Sequence, residues 1–568
     1  MSTVTSPEKR ARKSKSDSRD APVDDAALPW FQSTWTLSLV SGLLLWLAFP
    51  PVGLWPLAWI APIGWIVLIR RKKLDGPRPY RTIWLAAFLH WLVLFQFVRI
   101  PHWGLYIGWF ALAAYLAIYL TLFVGLSRVA VHRLRVNSIV ATAIVWVGLE
   151  LARGHVASGI SLALLGHSQV HWSSLIQIAD LCGAYGMSFI MMLVAASIAC
   201  MIPIRGRKSL LGPAIVIVAV FGLTLLYGNH RLSQTVAESK QETRQVALIQ
   251  GSIDTILDLT EDEAEQRHKQ IIADYTRLTV QALHEHPELD LVVWPEGKFA
   301  FTDLQLPGDF YRARKVKPEA RAEIEKVQME FDEGVTDLLV SATAEHPYHL
   351  LLGTHSIRVG ARRWQHYNAA LLMNSQGKIE NEYFKMHRVP FGEYVYFGDW
   401  VPWLYEITPI PAPLNAGTDP AGFDVAGLTY APSICFESTV PHLVHRQLDA
   451  LERQGTAADV MVNITDDGWF MGSSCLDHHL ACSVFRTVEH RTPMVIAANT
   501  GFSAWIDGNG RILAQGPRRA EAVLYAEVYP DRRTSLYQTL GDWPAFGCLA
   551  FCLACALVGF RQTRKEVD

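Results

Sequence analysis

Three residues in the second half of the chain have side chains that could together transfer an acyl group. Glu296 follows Leu-Val-Val-Trp-Pro, Lys385 lies in Tyr-Phe-Lys-Met-His-Arg-Val-Pro-Phe-Gly-Glu at 383–393, and Cys435 ends Tyr-Ala-Pro-Ser-Ile-Cys. A thiol is the best side-chain nucleophile near neutral pH once a neighbour takes its proton. A carboxylate could be that base, and a lysine ammonium could stabilise charge developing on a carbonyl oxygen.

Each of the three also has an ordinary structural explanation when it is taken alone. An acid that follows a strand is usually a helix cap or a solvated loop residue, and a lysine beside a turn is usually on the surface. A cysteine at a strand end is most often a small buried hydrophobe. Sequence spacing by itself does not bring the three side chains together.

The region that carries them alternates between strand and helix patterns. Such alternation predicts an α/β domain whose sheets are covered by helices. Strands are predicted at 245–250, 289–294, 348–355, 367–374, 429–435, 459–464, 493–498 and 522–528, and helices at 261–286, 318–345 and 476–490.

The remainder of the chain is strongly apolar. Uncharged segments lie at about 34–50, 54–70, 83–99, 104–127, 138–156, 180–203, 210–228 and 541–560, and most approach the roughly 20 residues that cross a bilayer as a helix. Between 229 and 540 no comparable segment occurs. The sequence therefore predicts about eight membrane crossings.

Basic residues predict the orientation of these crossings. They cluster in the tail before residue 20, at 70–73, 128–135, 205–208 and 561–565. Eight crossings place all five clusters on one side, which the positive-inside rule assigns to the cytoplasm. Residues 229–540 are then outside.

Composition excludes some other classes. The net charge of −2 argues against a nucleic-acid binder. The eight cysteines show no regular disulfide-like spacing; Cys548, Cys552 and Cys555 lie inside the last apolar segment with the spacing of helix-packing residues, and the CxxC formed by Cys552 and Cys555 belongs to that set. Residues 1–27 are polar and basic without an apolar stripe, so we expect a disordered cytoplasmic tail and no cleavable signal.

Several motifs resemble a known family in the same order. Trp-Pro-Glu at 294–296, YxKxHxVPFGEYV at 383–395 and ICFE at 434–437 resemble the Glu, Lys and Cys motifs of the nitrilase superfamily. The long VPFGEYV and the apolar bundle are similar to the apolipoprotein N-acyltransferase family within it. Segments at 150–154, 165–169, 466–470, 478–489 and 498–507 also resemble that family, so the likeness spans about 35–560.

The resemblance implies a polytopic helical membrane bundle of about eight transmembrane helices plus an extracytoplasmic nitrilase-type αββα sandwich. The implied parts are a tail at 1–27, seven helices within 28–230, a periplasmic catalytic domain at 231–538, an eighth helix at 539–560 and a second tail at 561–568. The implied location is the bacterial inner membrane.

The resemblance also implies the roles of residues. Glu296 would deprotonate Cys435, and Lys385 would stabilise the oxyanion. An acyl chain would pass from a phospholipid to Cys435 and then to the α-amine of a diacylated prolipoprotein. No cofactor, metal or nucleic acid is expected. Supporting or substrate-binding roles fall to Glu393, Phe436, Glu437, Trp294 and Trp469.

Three positions depart from the family pattern. Gly297-Lys298 follows the glutamate where small residues such as Thr-Ala are usual, Phe436 replaces a tyrosine, and Arg388 stands where leucine is common. None of these positions belongs to the triad. We therefore expect the departures to affect the shape of the substrate pockets and to leave the chemistry intact.

Other interpretations remain open at this point. Asp466, Asp467, His478 and His479 are residue types that bind metals, although adjacent histidines on a helix point about 100° apart and are usually on its surface. A charged pair within an apolar segment, Glu150 and Arg153, can mark a transport pathway, but the i,i+3 spacing more simply predicts that they pair with each other.

Two further expectations concern the acceptor and the membrane. A membrane-anchored amidohydrolase would use the same triad with water in place of an amine. The aromatic segment 394–413 is expected either to pack as a loop or to enter the membrane interface, where Trp and Tyr partition well. It contains Tyr396, Phe397, Trp400, Trp403 and Tyr405.

Overall fold

The computed structural model describes residues 29–203, 210–234, 243–256, 259–308, 310–314, 316–343, 346–359, 364–398, 400–405 and 413–565. The predicted tail at 1–27 and the basic cluster at 205–208 lie outside these residues. The last helix continues to Lys565, so most of the predicted tail at 561–568 is helical.

Each of the eight apolar segments contains helix, and together these helices form a bundle. The second segment divides into a 3-10 helix, Trp55–Trp59, and a short α-helix. The bundle helices are α1 Thr34–Ala48, α2 Ile63–Arg70, α3 Pro79–Leu94, α4 Leu105–His132, α5 Ser138–His155, α6 Ser173–Ile176, α7 Ala179–Met201, α8 Leu211–Ser233 and α15 Trp543–Lys565.

Four helices of the described chain are long and apolar enough to cross a membrane. They are the helices within Leu105–His132, Ala179–Met201, Leu211–Ser233 and Trp543–Arg561. The shorter apolar helices include Thr34–Ala48 and Trp55–Arg70. At 1.5 Å per residue, the 15 residues of α1 span about 22 Å, less than the roughly 30 Å of a hydrocarbon core.

Basic side chains meet at one end of the bundle. Arg70 donates a hydrogen bond to a carbonyl just past the C-terminal end of α7 (3.2 Å), Arg128 to one near the end of α2 (3.0 Å), and Arg133 to one near the end of α15 (3.2 Å). The helix ends that carry three of the predicted basic clusters therefore lie together.

The charged residues inside α5 do not form the ion pair that their spacing predicts. Glu150 instead accepts a hydrogen bond from the backbone N–H of Leu165 (2.8 Å), and Arg153 donates to the carbonyls of Leu162 and Ala163 (3.1 and 3.3 Å). Both side chains are buried. They hold a non-helical loop inside the bundle, where its backbone groups need partners.

The second half of the chain forms two β-sheets with helices outside them. The strands are β1 Arg244–Gln250, β2 Leu291–Val293, β3 Asp303–Gln305, β4 His349–Val359, β5 Trp364–Asn374, β6 Ile379–Phe384, β7 Phe423–Val425, β8 Leu428–Ile434, β9 Val460–Thr465, β10 Met494–Ala498, β11 Ala504–Ile506, β12 Ile512–Gln515 and β13 Ala522–Val528. One sheet has the order β13-β1-β2-β4-β5-β6, with β3 beside β4, and the other has β12-β11-β10-β9-β8-β7.

Helices cover the outer faces of both sheets, and an apolar core lies between them. The outer helices are α9 Glu261–Glu285, α10 Phe310–Arg314, α11 Pro318–Ser341, α12 Pro441–Arg453, α13 Cys475–His490 and α14 Leu536–Leu540. Side chains of α9 and α11 pack on the first sheet. Helix α13 packs on the second sheet and also on the bundle, within one continuous core.

Candidate active site

A buried lysine joins two carboxylates next to the first sheet. Lys385 follows β6, Glu296 follows β2, and Glu393 lies in the loop after the lysine. Lys385 Nζ donates to Glu296 Oε1 and to Glu393 Oε1, both at 2.9 Å. The Asn368 amide, from β5, donates to the same two oxygens at 2.6 and 3.1 Å. These four residues are called the catalytic network below.

The two carboxylates keep the lysine charged. Burial lowers the pKa of Lys385, but the charges of Glu296 and Glu393 outweigh it, so the pKa stays well above its usual value. Burial raises the pKa of Glu393, whereas Lys385 and the backbone N–H of Val389 (2.8 Å) lower it, and the net direction is down. The network therefore presents a fixed ammonium between two carboxylates at neutral pH.

Cys435 occupies a strained turn at the end of β8. Its φ is +55°, a left-handed conformation that costs free energy for a non-glycine residue and recurs at functional sites. The residue is half-buried and begins the 3-10 helix Cys435–Thr439. Asn463 and His479 donate hydrogen bonds to its carbonyl oxygen (3.2 and 3.1 Å), which fixes the turn.

The Cys435 thiol is electrostatically coupled to the catalytic network. Burial and the negative charges of Glu296 and Asp467 raise the pKa of the thiol well above its usual value, while the charge of Lys385 lowers it. The thiol is consequently protonated at rest. A thiol acts as a nucleophile only after a base has removed its proton, and the half-buried Glu296 is one of the charged groups that act on this thiol.

Glu437 connects the cysteine turn to the lysine segment. Its carboxylate is fully buried and accepts four hydrogen bonds. Ile434 N donates at 2.7 Å from the cysteine side, and Met386 N, His387 N and the Tyr383 hydroxyl donate at 2.7, 2.9 and 2.8 Å from the lysine side. Glu437 is therefore a positioning residue that fixes the two segments relative to each other.

The aromatic residues that the resemblance implies have different surroundings. Phe436 is half-buried and stacks on His387, with ring centroids 5.9 Å apart. Trp469 is half-buried in the 3-10 helix Asp467–Phe470. Trp294, by contrast, packs in the core under α9, where its indole N–H donates to Thr279 Oγ1 at 2.9 Å. Phe436 and Trp469 are thus partly accessible, whereas Trp294 supports the segment between β2 and Glu296.

The unusual Gly297-Lys298 pair adds a second buried ion pair beside the network. Gly297 has a φ of +65°, which glycine adopts without strain. Lys298 Nζ donates to Asp466 Oδ2 at 2.7 Å, and the backbone N–H of Asp466 donates to Glu296 Oε2 at 3.0 Å. The departure from the family pattern therefore supports the placement of Glu296.

The predicted surface position of the two adjacent histidines is wrong. His478 and His479 are both buried, because α13 is covered by the bundle. His479 contacts Asp467 Oδ1 through Nδ1 (3.2 Å) and the Cys435 carbonyl through Nε2 (3.1 Å). His478 packs against Phe49. Together with Asp466, these side chains form no metal-ligand cluster within the described residues.

Sequence reasoning missed two residues that shape the site. Asn368 lies within a predicted strand and carried no motif, and only its pairing opposite His355 across β4 and β5 places it beside the network. His479 did belong to a family-like segment. That segment was the signal that could have pointed to His479. The role of His479 in holding the cysteine turn, however, depends on a contact between two residues 44 positions apart in the sequence.

Comparisons with known proteins agree with this architecture. Residues 41–197 match the family model for the apolipoprotein N-acyltransferase N-terminal domain, and residues 245–538 match carbon-nitrogen hydrolase. The chain is similar to the apolipoprotein N-acyltransferase of Rhodopirellula baltica (30% identity, covering 90% of this chain and 95% of the relative) and to that of Geobacter metallireducens (32%, covering 93% and 95%).

Among solved structures, Saccharomyces cerevisiae Nit3, a member of branch 10 of the nitrilase superfamily, matches with 16% identity and a TM-score of 0.35. The match covers 53% of this chain and 95% of that protein. The family models divide the chain where the structure divides it, between helical bundle and two-sheet domain. The chain belongs to the apolipoprotein N-acyltransferase family and is an acyltransferase enzyme.

Proposed function

We propose that this enzyme moves a fatty acyl chain from a membrane phospholipid to the α-amine of a diacylglyceryl-cysteine, the N-terminal residue of a diacylated prolipoprotein. The observation that carries the proposal is the lysine held at 2.9 Å by two carboxylates, electrostatically coupled to a cysteine in a strained, half-buried turn. Those are the parts of a two-step acyl transfer. The names of the relatives supply the acceptor class.

In the first step Glu296 removes the thiol proton of Cys435, and the thiolate attacks the carbonyl carbon of the phospholipid ester. The tetrahedral intermediate collapses as the C–O bond breaks. The alkoxide of the leaving lysophospholipid takes the proton from Glu296, and an acyl-thioester remains on the cysteine. Atoms and charges balance without any cofactor.

Lys385 stabilises the oxyanion of this intermediate, with help from the backbone N–H that follows Cys435. Such donors act strongly because they are aligned before the reaction begins. Glu393 holds the ammonium in place, and the Asn368 amide donates to the same Glu393 oxygen. Lys385 therefore needs no reorganisation when negative charge appears.

In the second step the acceptor amine attacks the thioester carbonyl. Glu296 takes the proton that the amine loses, the C–S bond breaks, and the thiolate recovers that proton. The product is an amide, and the enzyme returns to its starting state. The same base serves both halves because each half moves one proton toward or away from sulfur.

The membrane context suits these two lipid substrates. Opposite the end where the basic side chains meet, the bundle contacts the catalytic domain: Phe97, after α3, packs against Phe470, and Phe49, after α1, against His478. The indole N–H of Trp59, before α2, donates a hydrogen bond to Gln169 (2.9 Å). Arg231 of α8 donates a hydrogen bond to Asp180 (2.7 Å). The eight segments thus run from one end to the other, which supports eight crossings with the catalytic domain in the periplasm.

An exposed aromatic segment near the site fits the membrane interface. Phe397, Trp400 and Trp403 are 67%, 82% and 57% exposed. They follow Glu393 closely in the chain, and aromatic residues partition well at the boundary between headgroups and acyl chains. We propose that this segment enters the interface and guides acyl chains toward Cys435.

A transfer assay with defined substrates tests the function. Purified enzyme in detergent is mixed with a phospholipid labelled in its acyl chain and a synthetic diacylated lipopeptide. The expected product is a triacylated lipopeptide whose formation requires both substrates. Release of free fatty acid at the same rate without lipopeptide would identify an amidohydrolase-like enzyme that uses water.

Reporter fusions test the proposed orientation separately. A reporter fused before Thr34 or after Asp568 should indicate a cytoplasmic location. A reporter fused at Gln241 should indicate a periplasmic location. A cytoplasmic reporter signal at Gln241 would contradict both the number of crossings and the compartment of the reaction.

A further inference from the structure

A cluster of metal-binding side chain types lies outside the catalytic network, where three distant segments meet. His155 is at the C-terminal end of α5, His442 is in the first turn of α12, and Asp542 directly precedes α15. One ligand atom from each residue lies within 4.8 Å of the other two. The two imidazole rings stack with centroids 4.2 Å apart.

The cluster contains buried polar atoms without partners. Asp542 is 7% exposed; its Oδ1 accepts a hydrogen bond from Tyr537 (2.6 Å), while its Oδ2 is buried and unpaired. His442 Nδ1 is likewise buried and unpaired. An unsatisfied buried polar atom costs roughly 1–3 kcal/mol, and native proteins contain few of them. Two in one cluster point to a missing partner.

The third side chain is already oriented as a ligand would be. His155 Nδ1 contacts the carbonyl oxygen of Leu151 at 3.0 Å, so Nδ1 carries the proton and Nε2 keeps a free lone pair. Metal-bound histidines commonly make this backbone contact through the nitrogen that does not bind the metal. His155 thus has one nitrogen fixed and the other available.

We propose that His155, His442 and Asp542 bind a divalent metal ion of the zinc class, with water completing the coordination. Two imidazoles and one carboxylate form a donor set that zinc accepts. Bonds of about 2.0–2.2 Å place tetrahedral donors roughly 3.5 Å apart. Because the ligand atoms lie within 4.8 Å of one another and the two ring planes are only 26° apart, metal binding needs side-chain movements of about 1 Å and rotation of one imidazole out of the stack.

The position of the cluster indicates a structural function. Helix α12 begins two residues after the 3-10 helix that Cys435 starts, α5 belongs to the bundle, and α15 returns the chain to it. A metal here would hold the cysteine-bearing segment against the bundle and the last membrane helix. It would stabilise the assembly without taking part in acyl transfer.

Metal content and thermal unfolding test the proposal. The full-length chain, purified in detergent with an affinity tag that contains no histidine, is loaded with Zn²⁺ and desalted. We expect one zinc per chain by elemental analysis and a Tm about 3 °C or more above that of the EDTA-treated protein. His155→Gln and Asp542→Asn should each lose the bound zinc and the Tm increase.

Two control variants separate this site from others. His286→Gln removes a half-exposed histidine that pairs with Glu288 on the opposite side of the catalytic domain, and His478→Ala removes the buried histidine of α13. Both should keep one zinc. Absence of zinc from the wild type, or equal zinc in wild type and His155→Gln with the same Tm increase, would overturn the proposal. Because His155 is exposed, its replacement is the variant most expected to fold.

Discussion

The protein contains two buried networks of charged residues that differ in their surroundings. In the catalytic network, Lys385 joins Glu296 and Glu393 beside a half-buried cysteine. The second network lies where α13 meets the bundle and is called the junction network. It consists of Asp180, Arg231, Arg486, Glu489 and Arg491, and in the pairs Arg486–Glu489 and Arg491–Asp180 both side chains have no exposed surface.

The two networks differ in what their carboxylates bind. Asp180 of α7 accepts hydrogen bonds from Arg231 (2.7 Å), Arg491 (2.5 Å) and the Tyr227 hydroxyl (2.5 Å), so it ties α8 and the end of α13 to α7. Glu489 accepts from the backbone N–H of Ala184 (2.8 Å), where α7 restarts after a break. Glu296, in contrast, is half-buried and accepts hydrogen bonds from Lys385 (2.9 Å), Asn368 (2.6 Å) and the backbone N–H of Asp466 (3.0 Å). Similar residue types thus surround a half-buried cysteine in one case and tie helices together in the other.

The largest expected effect comes from disrupting the catalytic network. Glu296→Gln and Lys385→Ala should each lower the rate of acyl transfer by at least about 100-fold, since one removes the base and the other an oxyanion donor. The double variant should be no worse than the poorer single variant, because the residues act as a unit. The initial rate of triacylated lipopeptide formation measures this.

Elution volume and a distant substitution provide the controls for this experiment. Both variants should elute as the wild type does in size-exclusion chromatography. Arg321→Ala, which removes an exposed ion pair on α11, should keep the transfer rate within about two-fold. A Lys385→Ala enzyme with wild-type activity would show that the lysine has only a structural role.

Disrupting the junction network should instead affect stability. Asp180→Asn leaves two buried guanidinium groups without a counter-charge, and breaking a buried ion pair costs about 3–5 kcal/mol. We expect a lower Tm in detergent, with a nearly normal transfer rate per folded molecule. Lys269→Ala, which removes an exposed ion pair on α9, should leave the Tm unchanged. Equal Tm values for Asp180→Asn and the wild type would contradict the anchoring role.

A smaller effect is expected from pH. Burial raises the pKa of Glu489 to about 7, although Arg486 opposes the shift. The folded protein therefore holds a proton that the unfolded chain releases near pH 4.3. The resulting stabilisation is complete below pH 4 and is lost as the pH rises through 7, so Tm should fall between pH 5 and 8. Glu489→Gln should flatten this slope; an unchanged slope would exclude Glu489 as its source.

The sequence predicted the elements better than it predicted their surroundings. The strands that lead to Glu296 and Cys435 are apolar runs that end at a polar residue, and both form where predicted. Short strands such as β7 and β11, with three residues each, leave no detectable period and were missed. Helix α12 was missed as well, although it directly follows the cysteine turn.

Sequence periodicity could not reveal that a helix is buried on both of its faces. Helix α9 is amphipathic and exposes its charged face, whereas 14 of the 16 residues of α13 are buried. In the sequence, polar residues of α13 such as His479, Arg486 and Glu489 cannot be distinguished from the exposed polar residues of α9. The pattern therefore indicated a solvent-facing side for α13. The bundle covers that side, and the charged residues found partners there.

The most direct test of the account is the covalent intermediate on Cys435. Incubating the enzyme with acyl-labelled phospholipid and no lipopeptide should label the protein, because a thioester accumulates when the second substrate is absent. Neutral hydroxylamine should remove the label, diacylated lipopeptide should chase it into triacylated product, and Cys435→Ser should carry no hydroxylamine-labile label. If the wild-type enzyme transfers acyl groups but carries no label even in rapid-quench samples, Cys435 is not the nucleophile.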